Sequence, residues 1–175
     1  MLLKASLTTL FCLVFCQSCA ALSAQCSSGW NVTGYYTPVE ADYQGQKRQI
    51  NVQGMGALAF NANFLRDVQM EGWGKTQHGW YLGYYGRQWH KSAEPLDASG
   101  RSLVVGIAAT DPSHLASGLQ FYVQSQTDFL NGKTFVARDV GQKVKNKHID
   151  IYTGEGTPAK HETWNVTGKN TICYL

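Results

Sequence analysis

The sequence predicts a mainly β protein, built as a small barrel of short strands. Three observations carry this. Segments that alternate apolar and polar residues recur along the whole chain, the period-two pattern of half-buried strands. Eighteen glycines and twenty-one aromatic residues stand against only four prolines, a balance that suits strands joined by tight turns. Helical patterning is confined to one or two short stretches, so six or more strands must carry the core.

The first strand is read at residues 30–37, WNVTGYYT, stopped by Pro38. Residues 42–49 are polar and loop-like. Strand character returns at 50–60, where Gly54 and Gly56 mark a bulge or a close backbone approach. Asn61 is placed to cap a helical turn over 62–66. Glycines and aromatics alternate through 71–89 in the manner of one or two hairpins, with a turn at 75–79. A polar loop, 92–100, leads to four more strands at 103–109, 119–123, 133–139 and 148–153. A second helical turn fits 158–164, and 171–175 closes the chain.

At 175 residues one domain is expected, large enough to bury about two-thirds of its unfolded surface. The formal charge is +3 and the charged residues are scattered, which excludes the dense basic stripe of a nucleic-acid binder. Residues 1–24 read as an export signal: Lys4 precedes a short apolar run, and small residues at 20–24 offer a cleavage site after Ala24, or after Ala21. The mature domain is then 25–175, periplasmic or extracellular. Lipid anchoring at Cys16 or Cys19 is the minority reading, because Phe15 is too bulky for a lipobox and the upstream Leu is missing before Cys19. With the signal removed, Cys26 and Cys173 remain, one at each end. In an exported protein an even pair reads as a disulfide.

The functional reading rests on residues 133–156, KTFVARDVGQKVKNKHIDIYTGEG. In its first alternating segment Phe135 and Ala137 share a face with Asp139; in its second, His148, Asp150 and Tyr152 face away from Ile149 and Ile151. Asp139 and Asp150 therefore stand at or near the ends of neighbouring strands. Asp111 ends another strand in AATDPSH, where Pro112 halts it. The patterns A-x-D-P, A-x-D-V-G and H-x-D-I-Y-x-G-x-G resemble the three-aspartate (3D) domain shared by the membrane-bound lytic transglycosylase A family and its small single-domain relatives. The segment VTGYYTPV, 32–39, is similar to the N-terminal signature of the transglycosylase A branch.

That resemblance implies a six-stranded double-psi β-barrel with extra hairpins. It implies a cleft gathering Asp111, Asp139, Asp150 and Thr33. By position in the motif, Asp150 would be the acid that protonates the leaving oxygen of a MurNAc–GlcNAc bond. The same group would then take the proton of the sugar's 6-hydroxyl, giving a 1,6-anhydro end. A carboxyl among other carboxylates and apolar neighbours holds its proton to higher pH, as that task demands. Asp139 and Asp111 would tune Asp150, while Thr33, Tyr36 and His148 would line the substrate. The partner would be peptidoglycan glycan strands.

Departures from the family pattern leave an alternative open. Gln142-Lys143-Val144-Lys145-Asn146 replaces a glycine-rich segment that lets backbone approach the sugar, which favours a non-catalytic, expansin-like glycan-binding module. Residues 38–111 are too few for the second domain of the larger transglycosylases. Trp73, Trp80, Tyr81, Tyr84, Tyr85 and Trp89, within that stretch, read first as core and cross-strand pairs and second as sugar platforms. The five histidines show no metal-site spacing, and no cofactor is called for.

Overall fold

The computed structural model describes residues 25–174; the signal-like segment 1–24, with its cleavage and anchoring readings, lies outside the described residues, as does Leu175. In chain order the elements begin with β1 (Gln25–Thr37), a single 3-10 turn (Glu40–Asp42), β2 (Lys47–Val52), β3 (Gly56–Asn61) and α1 (Ala62–Glu71). Then come β4 (Trp73–Lys75), β5 (Tyr81–Tyr85), β6 (Gln88–Ser92), β7 (Ile107–Thr110) and β8 (Gln120–Gln124). The last are β9 (Thr134–Asp139), β10 (His148–Glu155), α2 (Gly156–Asn165) and β11 (Gly168–Tyr174).

Six of the strands close a barrel in the order β1-β10-β7-β9-β8-β11. Two pairs in it are parallel, β1 with β10 and β7 with β9, the mark of the double-psi barrel expected. One face of these strands supplies the main core, with Val32, Phe121, Phe135, Ile149, Ile151 and Ile172 almost wholly buried. α2 packs directly on β1 because residue 34 is glycine: a Cβ there would sit 2.7 Å from the Thr163 Cα. Cys26 and Cys173 face each other across β1 and β11 and are bonded. The bridge closes a loop of 147 residues, worth about 5 kcal/mol in the chain-entropy account.

The hairpins expected between Pro38 and Asp111 are present, but they merge into one five-stranded sheet, β3-β2-β6-β5-β4. It has its own core of Val52, Phe60, Phe64, Leu65, Val68, Leu82 and Trp89. Asn61 caps α1 as read, its Oδ1 accepting from Asn63 N at 2.9 Å. The helix runs well past residue 66 because Leu65 and Val68 both bury against the sheet, and it stops where Gly72 takes a φ of 93°. β2 begins at Lys47, inside the stretch read as loop. No described helix is long and apolar enough to cross a membrane.

Polar bolts fix this sheet to the barrel. Asp67 of α1 accepts from Tyr43 (2.7 Å), Tyr36 (3.1 Å) and Lys160 of α2 (3.3 Å). Burial raises the Asp67 pKa, but those bonds and the Lys160 charge outweigh it and the net shift is downward. Asp42 supplies the cap that α2 lacks in its own sequence, accepting from Thr157 N and Oγ1, each at 3.0 Å. Glu155 at the end of β10 accepts from Lys75 at 3.0 Å and Tyr81 at 2.6 Å.

Candidate active site

The register of four barrel strands sets one row of side chains. Thr33 on β1 pairs with Asp150 on β10, Asp150 with Ala109 on β7, and Ala109 with Asp139 on β9. The row lies on the face turned away from the main core, above an apolar layer of Tyr35, Leu103, Ile107, Val144 and Tyr152. Asp150 and Asp139 are two strands apart, about 10 Å between backbones. Alternation alone gave Asp139 the face of Phe135 and Ala137, and the structure corrects this. A bulge lets Ala108 pair with Ala137 but Ala109 with Asp139, so the extra residue, Arg138, turns Asp139 to the other face.

Asp150 is half-buried and accepts from Thr33 Oγ1 at 2.6 Å. Burial is the main cause that raises its pKa; the Asp139 charge adds to it, while the Thr33 bond and His148 oppose. His148 lies beside it, with Nε2 2.9 Å from the same Thr33 Oγ1 and Nδ1 3.2 Å from the Lys143 carbonyl. Asp139 is raised as well, again chiefly by burial, against bonds from Tyr35 OH (2.7 Å), Val140 N (2.9 Å) and Ala98 N (2.9 Å). The loop carrying Ala98 is pinned by the Arg138–Asp97 ion pair, in which Asp97 is buried.

Asp111 has a different setting. It accepts from Ser113 Oγ at 2.7 Å, Asn146 N at 2.8 Å and Ser113 N at 3.1 Å. These bonds, that from the Ser113 hydroxyl first, hold its pKa down to about 2. It is therefore an ionised anchor between the turn after β7 and the loop before β10, not a proton source. Its charge is not among the causes that shift Asp150.

Tyr36, read as a substrate contact, is 4% exposed and spends its hydroxyl on Asp67 and Tyr43. The tyrosine of the GYYT segment that reaches the row is Tyr35. Of the aromatic group in the second sheet, Trp73 and Trp89 are buried, Trp73 Nε1 donates to the Leu96 carbonyl, and Tyr84 packs on Trp89 at 4.7 Å. Tyr85 stays open to solvent, stacked on His90 at 3.7 Å.

One residue escaped the sequence reading. Glu71, the last residue of α1, accepts from Tyr36 N at 3.3 Å. Burial first, with the Asp150 and Asp67 charges behind it, pushes its pKa up to about 7. α1 thus brings a third carboxyl with a raised pKa toward Asp150. Only the end of a helix rich in buried apolar residues hinted at it. Among the described residues no cluster of His, Cys, Asp or Glu is arranged to hold a metal ion.

A barrel with half-buried carboxyls of raised pKa in register defines a class of site. Residues 107–175 match the 3D domain, the part of the chain that holds Asp111, Asp139, His148 and Asp150. No curated protein matches the sequence. Among solved structures, the chain is similar to E. coli MltA with bound chitohexaose at 18% identity and a TM-score of 0.66, covering 84% of this chain and 71% of that one. It is similar to a membrane-bound lytic murein transglycosylase from Agrobacterium tumefaciens at 15% identity and a TM-score of 0.59, over 83% and 73% of the two chains. The lytic transglycosylase LtgG of Burkholderia pseudomallei gives 16% and 0.54, over 83% and 71%. At such identities the likeness is one of fold.

Proposed function

We propose that the protein is an exported, single-domain lytic transglycosylase that cleaves the MurNAc–GlcNAc bond of peptidoglycan. The observation that carries this reading is Asp150: a half-buried carboxyl with a raised pKa, oriented by Thr33 and set in a row with Asp139. Such a group stays protonated long enough to donate to a leaving glycosidic oxygen. Once ionised, it accepts the proton of the substrate's own 6-hydroxyl as that oxygen attacks the anomeric carbon. No water enters, and one carboxyl serves both steps.

Asp139 adds negative charge near Asp150 and so favours its protonated form. The fold likeness to a transglycosylase holding chitohexaose supports glycan strands as the ligand. Export through residues 1–24 belongs to this proposal.

The test is digestion of purified peptidoglycan, with mass spectrometry of the released fragments. Wild type is expected to yield fragments lighter by one water than hydrolysed ones. Asp150→Asn should lower the rate by about a hundredfold or more, the usual range for loss of a general acid. Reducing ends would mean a hydrolase. Binding to the wall with no release would remove the enzymatic reading in favour of a glycan-binding module.

A further inference from the structure

We propose that Asp150, Thr33 and His148 form a relay that holds one shared proton, with His148 as a positioning and proton-holding residue rather than a substrate contact. The relay rests on the reading of Asp150 as the acid–base group only for its use in cleavage.

The inference comes from counting donors. Thr33 Oγ1 has one proton and two close neighbours, Asp150 Oδ1 at 2.6 Å and His148 Nε2 at 2.9 Å. His148 Nδ1 faces the Lys143 carbonyl at 3.2 Å, an acceptor with no proton to give. Nδ1 must therefore carry hydrogen for that contact to be a bond. Two arrangements then satisfy every contact.

In the first, the Asp150 hydroxyl donates to Thr33, Thr33 donates to Nε2, and the imidazole is neutral. In the second, Thr33 donates to the Asp150 carboxylate, Nε2–H donates to Thr33, and His148 is an imidazolium. They interconvert when the Asp150 proton moves to Thr33 as the Thr33 proton moves to Nε2. No proton is gained or lost and no bond to carbon changes. Removing one proton from the trio leaves two lone pairs facing each other at one contact, an unmade bond in a half-buried place.

This geometry suits a group that must give a proton and then take one. When Asp150 passes its proton to the leaving oxygen and the C1–O bond breaks, the trio is one proton short. The substrate's 6-hydroxyl supplies it as its oxygen closes on C1, and the relay is whole again. The charged and titratable groups around the trio are Asp139 on β9, Glu71 at the end of α1 and Tyr35 on β1. Lys143, Lys145 and Lys147 precede His148 in the sequence, and the Lys147 ammonium donates to Ser27 Oγ and the Ser28 carbonyl.

The test is ring ¹⁵N NMR of the disulfide-intact protein near neutral pH, with the His148 signals assigned by their loss in His148→Gln. In wild type the shared proton is expected to occupy Nε2 in part. In Asp150→Asn the amide NH₂ turns toward Thr33, Thr33 turns its proton to His148, and that Nε2-bound fraction is expected to be lost. Thr33→Val should cut the link, so that adding Asp150→Asn no longer moves the His148 signals. Thr33→Ser, which keeps the hydroxyl, should restore the response. An Nε2 signal unchanged by Asp150→Asn in the wild-type background would overturn the relay. The ring signal needs no substrate: a coupled ring in a protein that releases no anhydro fragments would sink the cleavage reading and leave the relay, and an uncoupled ring in an active protein would do the reverse.

Discussion

The barrel and the second sheet are both β structures with private cores, yet they hold together differently. The barrel is closed by partners distant in sequence: β1 lies between β10 and β11, and a disulfide ties its outer end. The second sheet is built from neighbours in sequence, β2 with β3 and β4 with β5 and β6, around Phe60 and Phe64. Nearly every residue of the candidate site belongs to the barrel. α1, which packs on the second sheet, contributes one carboxyl, Glu71. Long-range register thus aligns Thr33, Asp150 and Asp139, while local hairpins support the helix that carries Glu71.

The largest expected effect tests the closure of the barrel. Replacing both Cys26 and Cys173 by Ser should cost up to about 5 kcal/mol, read as a lower denaturant midpoint. Hydrogen exchange should then quicken in β8 and β11 more than in β2 and β3. Equal acceleration in both regions would mean that they unfold as one unit.

Next comes the core of the second sheet. Phe64→Ala should cost about 3 to 5 kcal/mol, the range for emptying a buried aromatic site. Its exchange signature should be the mirror image, with α1 and β3 opening first. The Asp150–Thr33 bond should survive it, because both partners stand on barrel strands.

The smallest effect concerns the carboxyl that joins the two regions. Glu71 has a folded pKa of about 7 against an ordinary 4.5. Between those values the folded protein binds more protons than the unfolded chain, so stability falls as pH rises across that window. The loss amounts to roughly 3 kcal/mol at most. Glu71→Gln should flatten this slope and leave the variant more stable than wild type in mildly alkaline buffer. Urea titrations on either side of the window measure it; a slope that persists in the variant would assign the pH dependence to other groups.

What the sequence could disclose follows the same division. β1 and β10 were legible because Val32, Ile149 and Ile151 alternate cleanly against polar neighbours, and Asn61 announced α1 by its capping chemistry. The row Thr33–Asp150 needed only the parity of those strands and the 3D pattern. The start of β2 was not legible: Lys47 to Gln49 are exposed in a hairpin, so no burial imposes alternation there. Asp139 was assigned the wrong face because a bulge shifts parity by one and leaves no mark in composition. Tyr36 and Tyr35 are adjacent, alike and both buried, and only the packing against α1 decides which hydroxyl meets Asp67 and which meets Asp139. Glu71 could not be placed without knowing that the second sheet folds back on the barrel.

The pairing of Thr33 with Asp150 spans 117 residues. A chain leaving the ribosome exposes β1 early, yet neither of that strand's neighbours exists until synthesis is almost complete. The second sheet can form in the meantime from its own hairpins, while β1 waits with unpaired edges. When β10 finally slots between β1 and β7, burial, the Thr33 bond and the Asp139 neighbour arrive together. Before that event Asp150 is an ordinary solvated carboxylate. The raised pKa of Asp150 therefore depends on a pairing that only the last third of the chain supplies, and a chain cut short before residue 148 lacks it.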